Sequence, residues 1–168
     1  STRPIYDHLK SMRHIEEEVV KKALAYFVEF ISRDRTGDRW LDQALGYVMF
    51  ADQERHLFRC INDEKHIQAQ KKFARTHWDK LDEELSADPR FNSLSKAERD
   101  RIRIARWFMI HGLSFLVSNG WIKLPRKEKS VLSEQVGMPL LDFLRTANQA
   151  LYDGFVQSVG REDQSKGP

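Results

Sequence analysis

One cysteine, Cys60, stands in a chain of 168 residues. No internal disulfide can form, and a reducing, cytoplasmic setting is the expectation that follows. Glycine and proline are also sparse, eight and five respectively, and they fall between periodic segments. No alternating apolar and polar run bounded by turn residues marks a strand. No apolar run approaches the roughly 20 residues that a membrane helix needs, and the first residues lack the apolar core of a secretory signal. No membrane partner is expected. Charge of one sign is scarce as well: 28 Lys and Arg face 25 Asp and Glu, so overall charge by itself does not make a nucleic-acid binder.

Chemical motifs are equally thin. Helical di-metal sites use Glu-x-x-His elements with further inward carboxylates, and the sequence has none. Asp63 with His66, and Asp52 with His56, have ligand-like spacing but lie in polar segments. Cys60 follows His56 by one helical turn without a local orienting acid or oxyanion site, so a structural thiol is the expectation. A phosphate loop, a nucleophile elbow and a dinucleotide fingerprint are all absent. The expectation is a protein that is not an enzyme and carries neither cofactor nor metal.

What is present is helical periodicity, in a composition 40% hydrophobic and 11% aromatic. From Ser11 to Arg33, Ile15, Val19, Ala23, Tyr26, Phe27, Phe30 and Ile31 make one apolar stripe. Thr36 to Asp38 interrupt it, and Asp38 is placed to cap a second helix carrying Trp40, Leu41, Ala44, Leu45, Val48 and Met49. Polar residues 52–55 predict a break before Leu57, Phe58 and Ile61. A further helix is expected from His66 to Leu85, anchored by Phe73, Trp78, Leu81 and Leu85. Ser95 and Glu98 form a capping-box pattern at the start of a helix to Asn119, with Gly120 as its stop. The second half of that helix, WFMIHGLSFLV, is apolar nearly all round and should be covered on every side. A short helix is expected around Val131 to Val136, then a last one to Val159 with Leu140, Leu144, Ala147, Leu151 and Phe155 along its seam. The fold class expected is all-α.

Three features in this frame bear on function. Phe27, Phe30, Trp40, Tyr47, Phe50, Phe73, Trp78, Trp107, Phe108 and Phe115 are hard to pack in a small helical domain without gaps, and some are candidates to line a pocket. His111, mid-helix among aromatics, reads as a core histidine satisfied by one hydrogen bond or as a polar handle in that pocket. Arg99, Arg103 and Arg106 recur at i, i+4 and i+7, the spacing of a solvated face pairing with nearby acids.

The opening STRPIYDHLKSMRHI resembles the end of the DNA-binding head of tetracycline-repressor-like transcription regulators. Ser1, Pro4, Ile5, Tyr6, His8 and Ser11 fit the recognition-helix and connecting-helix pattern, with Ile15 at its aliphatic position. Leu9 and Met12 stand where that family carries Phe and Lys, with Lys10 and Arg13 nearby. GYVMFADQERHLFRCIN and IHGLSFLVSNGWI are similar to two later blocks of the same family, in the same order.

The resemblance implies a regulatory helical bundle preceded by a stub of the helix-turn-helix reader. Residues 1–10 would be the reader remnant, 11–33 the connecting helix, 34–160 the ligand-binding and dimerisation domain, and 161–168 a flexible tail. Thr2, Arg3, Tyr6 and Lys10 would contact operator DNA, Tyr6 and Lys10 mainly through phosphates. A small, largely apolar effector would occupy a pocket built from the aromatic set and His111. Leu116, Leu140, Leu144, Leu151 and Phe155 would serve a homodimer interface made by the last two long helices. The function implied is a ligand-responsive regulator, read as a repressor: a ligand tilting the connecting helix would upset the spacing of about 34 Å that two reading helices require. The alternative is a helical dimerisation or protein-interaction module without a small-molecule ligand.

Overall fold

The structure, a computed structural model, describes residues 11–124 and 139–165, with side chains through residue 157. The DNA-contact candidates Thr2, Arg3, Tyr6 and Lys10, and the short helix expected at 131–136, lie outside the described residues. The fold class is all-α. In chain order the described helices are α1 (Met12–Ile31), α2 (Arg39–Gln53), α3 (Arg55–Ile61), a single 3-10 turn (Glu64–His66), α4 (Ile67–Ala87), α5 (Lys96–Ser118) and α6 (Leu140–Ser165).

Local chemistry sets these boundaries. The Asp38 carboxylate accepts from the Trp40 and Leu41 N–H groups and starts α2, which satisfies donors that have no intrahelical partner. Ser95 and Glu98 close a reciprocal capping box at α5. The far end of α5 is a Schellman turn, in which Trp121 N–H donates to the Leu116 carbonyl and Gly120 N–H to that of Val117, both at 3.0 Å. Gly120 takes φ 79° there, a left-handed value that a side chain would oppose. The chain breaks between α2 and α3 at Glu54, within the polar interruption expected there. Tyr26 on α1 donates to the Glu54 carboxylate at 3.2 Å, which fixes the bend against the first helix. At the other end, α6 continues to Ser165, past the end near Val159 that the sequence suggests. Gly160 does not stop it, because a glycine costs a helix only about 1 kcal/mol and Arg161, Glu162 and Gln164 are good helix formers.

α2 is the central helix, packed on α1 along one side and on α5 and α6 along another. Its contact with α1 is close: a Cβ on Gly46 would lie 2.9 Å from the Ile31 Cα, so this position admits only glycine without a backbone shift. The α1–α2 turn is held by Asp42, buried at 2% exposure. Its carboxylate accepts from the Arg35 and Thr36 N–H groups and the Thr36 hydroxyl. Burial works to raise the Asp42 pKa, yet these hydrogen bonds outweigh it and hold the group below the usual carboxylate range.

Three buried clusters result. α1 meets α2 and α3 through Phe27, Phe30, Phe50 and Phe58. α2 meets α5 and α6 through Leu41, Val48, Val117 and Leu144. Trp40, Leu85, Phe91 and Ile102 join the start of α2 to the loop between α4 and α5.

The sequence expectation for α5 requires correction in two places. Its apolar second half is not covered on every side within the chain: Phe108, Phe115 and Leu116 are 62%, 56% and 41% exposed. Its arginine stripe is not a solvated face either, since Arg103 and Arg106 are 4% and 6% exposed. The inward face of α5 thus carries two guanidinium groups beside Ile102, Ile110, Leu113 and Val117, while Phe115 and Leu116 stay exposed. The inward arginines are stabilised by aromatic faces that no local pattern reveals: the Arg106 Cζ lies 3.6 Å from the Trp40 ring centroid, and the Arg103 Cζ 3.9 Å from that of Trp78.

Candidate functional site

α4 is amphipathic, yet Leu85 alone is buried in it. The rest of its inward stripe, including Phe73, His77, Trp78 and Leu81, faces a cavity of about 590 Å³. The opposite walls come from Leu24, Phe27 and Ile31 of α1, from Trp40, Gln43 and Tyr47 of α2, and from Ile104, Trp107 and Ile110 of α5. A cavity of this size, mostly apolar with a few placed polar groups, has the character of a small-molecule site.

Polar ties hold α4 in place over this space. Arg99 of α5 pairs with Asp82 at 2.9 Å. Trp78 Nε1–H donates to Asp100 at 3.2 Å, and Arg103 donates to Asp100 and to the Trp78 carbonyl. Toward α2, the Glu84 carboxylate accepts from Gln43 at 2.9 Å and from Arg39 at 3.3 Å. The hydrogen bond from Arg99 holds Asp82 below the usual carboxylate range against the opposing effect of burial. The cover helix is therefore fastened by charge and hydrogen bonding more than by apolar packing.

Seven of the sequence-predicted pocket residues line the cavity: Phe27, Trp40, Tyr47, Phe73, Trp78, Trp107 and Phe108. Phe30 and Phe50 do not; they interlock with Tyr26 in the α1–α2 core, with Phe50 fully buried. Phe115 points outward and is not in the wall. His111 is also outside the wall, directly behind Tyr47, with Nδ1 and the Tyr47 hydroxyl sharing a 2.9 Å hydrogen bond. Burial pushes the Tyr47 phenol up to about 12 and the His111 imidazole down, so at neutral pH the pair is an uncharged brace for the Tyr47 ring. His111 is half-buried and makes the one hydrogen bond that the sequence reading allowed for.

The interface candidates divide similarly. Leu140 and Leu144 are buried on α2 within the chain's own core, which removes them from any outer face. Leu151 and Phe155 are half-buried, and Leu116 is exposed. The seam of α6 visible in the sequence is, at its first turns, the inward seam.

Sequence reasoning missed the polar members of the wall. Gln70, His77 and Glu84 recur at seven-residue intervals on the apolar face of α4, a periodicity that could have marked them as facing inward. Burial pushes His77 below its usual range, and its ring stacks on Phe73 at 5.5 Å. Arg39, Arg103 and Arg106 also reach the wall. The described residues contain no cluster of His, Cys, Asp and Glu suited to hold a metal ion, and none of the described helices is long and apolar enough to cross a membrane. Compared with family models, curated proteins and solved structures, the chain matches none.

Proposed function

We propose that this chain is the regulatory core of a ligand-responsive transcriptional regulator of the tetracycline-repressor type, acting as a homodimer and released from operator DNA by a small molecule with an apolar body. The observation that carries the reading is the 590 Å³ cavity walled on one side by the long helix that the resemblance connects to a DNA reader. Leu24, Phe27 and Ile31 occupy the last two turns of α1. A ligand that favours one position of those side chains favours one tilt of α1 over another. With 20 residues rising 1.5 Å each, α1 extends about 30 Å, so a small rotation near Phe27 becomes a displacement of several ångströms at its start. No catalytic role is assigned to any residue.

The dimer rests on the outer face of α5. Phe115 and Leu116, both outside the cavity wall, are 56% and 41% exposed on the last turns of α5. An exposed apolar stripe of this kind on a single chain marks an interaction surface. A second copy is the proposed occupant, giving a four-helix contact with α6. The helical interaction module without ligand remains the second reading, favoured by the same stripe.

The test is binding of the protein encoded by the full gene to the DNA upstream of that gene, followed by fluorescence anisotropy over a salt series. Affinity that falls steeply with salt and is further weakened by a compound that saturates the cavity supports the regulator. Absence of salt-dependent binding contradicts it, and a stable dimer that takes up no compound favours the interaction module.

A further inference from the structure

Besides the phenol of Tyr47, the ionisable side chains in the cavity wall are Arg39, Arg103, Arg106, His77, Glu84 and Asp88. Both acids are already engaged. Glu84 receives Arg39 and Gln43, while both oxygens of Asp88 receive Arg90. Arg39 is matched by Glu84, and Arg103 pairs with Asp100 at 2.9 Å. Arg106 differs from these.

At 6% exposure, Arg106 donates through Nη2 to the Trp40 carbonyl and stacks on the Trp40 ring. Among the described residues its Nη1 makes no hydrogen bond and no acid lies within ion-pair reach. Asp38 acts on it from farther away, but the Asp38 oxygens are occupied by two bonds from Arg90 at 2.8 Å and by the Trp40 and Leu41 N–H groups. Burial pushes the Arg106 guanidinium down to about 9, which leaves it charged at neutral pH. A buried cation without a counter-ion is costly, and aromatic stacking offsets only part of that cost.

Among the described residues, the buried polar atoms of the wall that lack a partner are Arg106 Nε, Arg103 Nε and Trp40 Nε1. All three are N–H donors. Arg103 and Arg106 lie three residues apart on α5, on the same helical face, each resting on a tryptophan that also lines the cavity.

Resting on the reading of this cavity as a ligand site, we propose that its ligand is a monoanion, a carboxylic acid whose carboxylate is received by Arg106 and whose apolar body lies along Phe73, Trp78 and Trp107. The carboxylate provides the counter-charge that Arg106 lacks. A cationic ligand would meet no free carboxylate, and a neutral one would leave the guanidinium unpaired. Ion pairing in a partly water-excluded site also gives selectivity by charge, which an aromatic wall alone does not.

The experiment compares three probes of one chain length, decanoate, 1-decanol and decylamine, each below its micellar concentration at pH 7.5. Tryptophan fluorescence and thermal shift are read together; Trp40, Trp78 and Trp107 line the cavity and report occupancy directly. Decanoate is expected to bind about tenfold or more tighter than decanol, the size of one charge-assisted hydrogen bond, with decylamine weakest. In Arg106→Met the acid and the alcohol should bind equally, while Arg106→Lys should retain part of the preference. The unliganded Arg106→Met protein should melt no lower than the parent, because it loses an unpaired buried charge, and this also verifies that the variant folds. Equal affinity of the parent for decanoate and decanol, or an acid preference that survives in Arg106→Met, overturns the proposal and leaves the cavity as an apolar ligand site. Failure of all three probes to give a saturable shift removes both readings.

Discussion

Two groups of aromatic side chains lie on either side of α2 and have different surroundings. On the α1 side, Phe30 and Tyr26 flank Phe50 with ring centroids 5.5 and 5.8 Å away in edge-on arrangements, Phe50 has no exposed surface, and Phe27, 5.1 Å from Phe50, is shared with the cavity wall. On the α4 side, Phe73, Trp78 and Trp107 present their rings to open volume. Both groups have helical spacing and similar hydrophobicity. The first satisfies its apolar surface within the chain, and the second leaves that surface for something else. The contrast between a filled and an unfilled aromatic layer is what makes the cavity a site rather than a packing defect: its walls are tied by placed polar contacts, from Arg99 to Asp82 and from Gln43 to Glu84, and have not collapsed onto each other.

The largest expected effect separates the two layers. Phe50→Ala should destabilise the protein by about 3–5 kcal/mol, the usual result of truncating a fully buried ring. Phe73→Ala, which removes a half-buried ring with the cavity already on one side, should cost clearly less. Urea denaturation of both variants measures the difference, and equal losses would contradict the distinction.

Asp82→Asn tests the fastening of the cover helix. Loss of a charge-assisted hydrogen bond from Arg99 should lower stability at pH 7 by about 1–2 kcal/mol. The pH dependence has a defined sign. The Asp82 pKa is lowered in the folded state, first by the Arg99 hydrogen bond. Its stabilising contribution is therefore complete above the ordinary carboxylate pKa and is lost as pH falls through the lowered value. Asp38 and Asp88, both held low first by Arg90, act in the same direction. The stability difference between parent and Asp82→Asn should shrink as pH falls through the acid range; a difference independent of pH would sink this account of α4.

A smaller effect should turn the unfilled layer toward the filled one. Ala74 lies in the α4 wall, and Ala74→Leu adds apolar volume there. It should stabilise the unliganded protein by up to about 1 kcal/mol and weaken uptake of decanoate. Destabilisation with undiminished uptake would place the ligand elsewhere.

The contrast also explains what could be read from the sequence. Helix starts and stops were legible because they depend on neighbours: Asp38, the Ser95–Glu98 box and the break before Arg55 are each defined within a few residues. Depth was not legible. Helical spacing says that Phe30, Phe50, Phe73 and Trp78 face inward, but whether inward means core or cavity depends on which helix lies opposite. For the same reason Leu140 and Leu144 were expected at an outer interface and sit in the core. Arg106 was the hardest case, since the ring and carbonyl that receive it belong to Trp40, 66 residues away. A charged stripe at helical spacing is a solvated face unless such a distant partner exists, and a single sequence does not identify the partner.

The most direct measurement is amide hydrogen exchange along α4, with and without saturating decanoate. α4 buries one residue of its own, so its amides should exchange well before those of α2 in the unliganded protein. If the cavity is a binding site, decanoate should slow exchange in residues 67–87 and in the last two turns of α1. Unchanged exchange across α4 at saturation would contradict the central claim that this helix covers a ligand site.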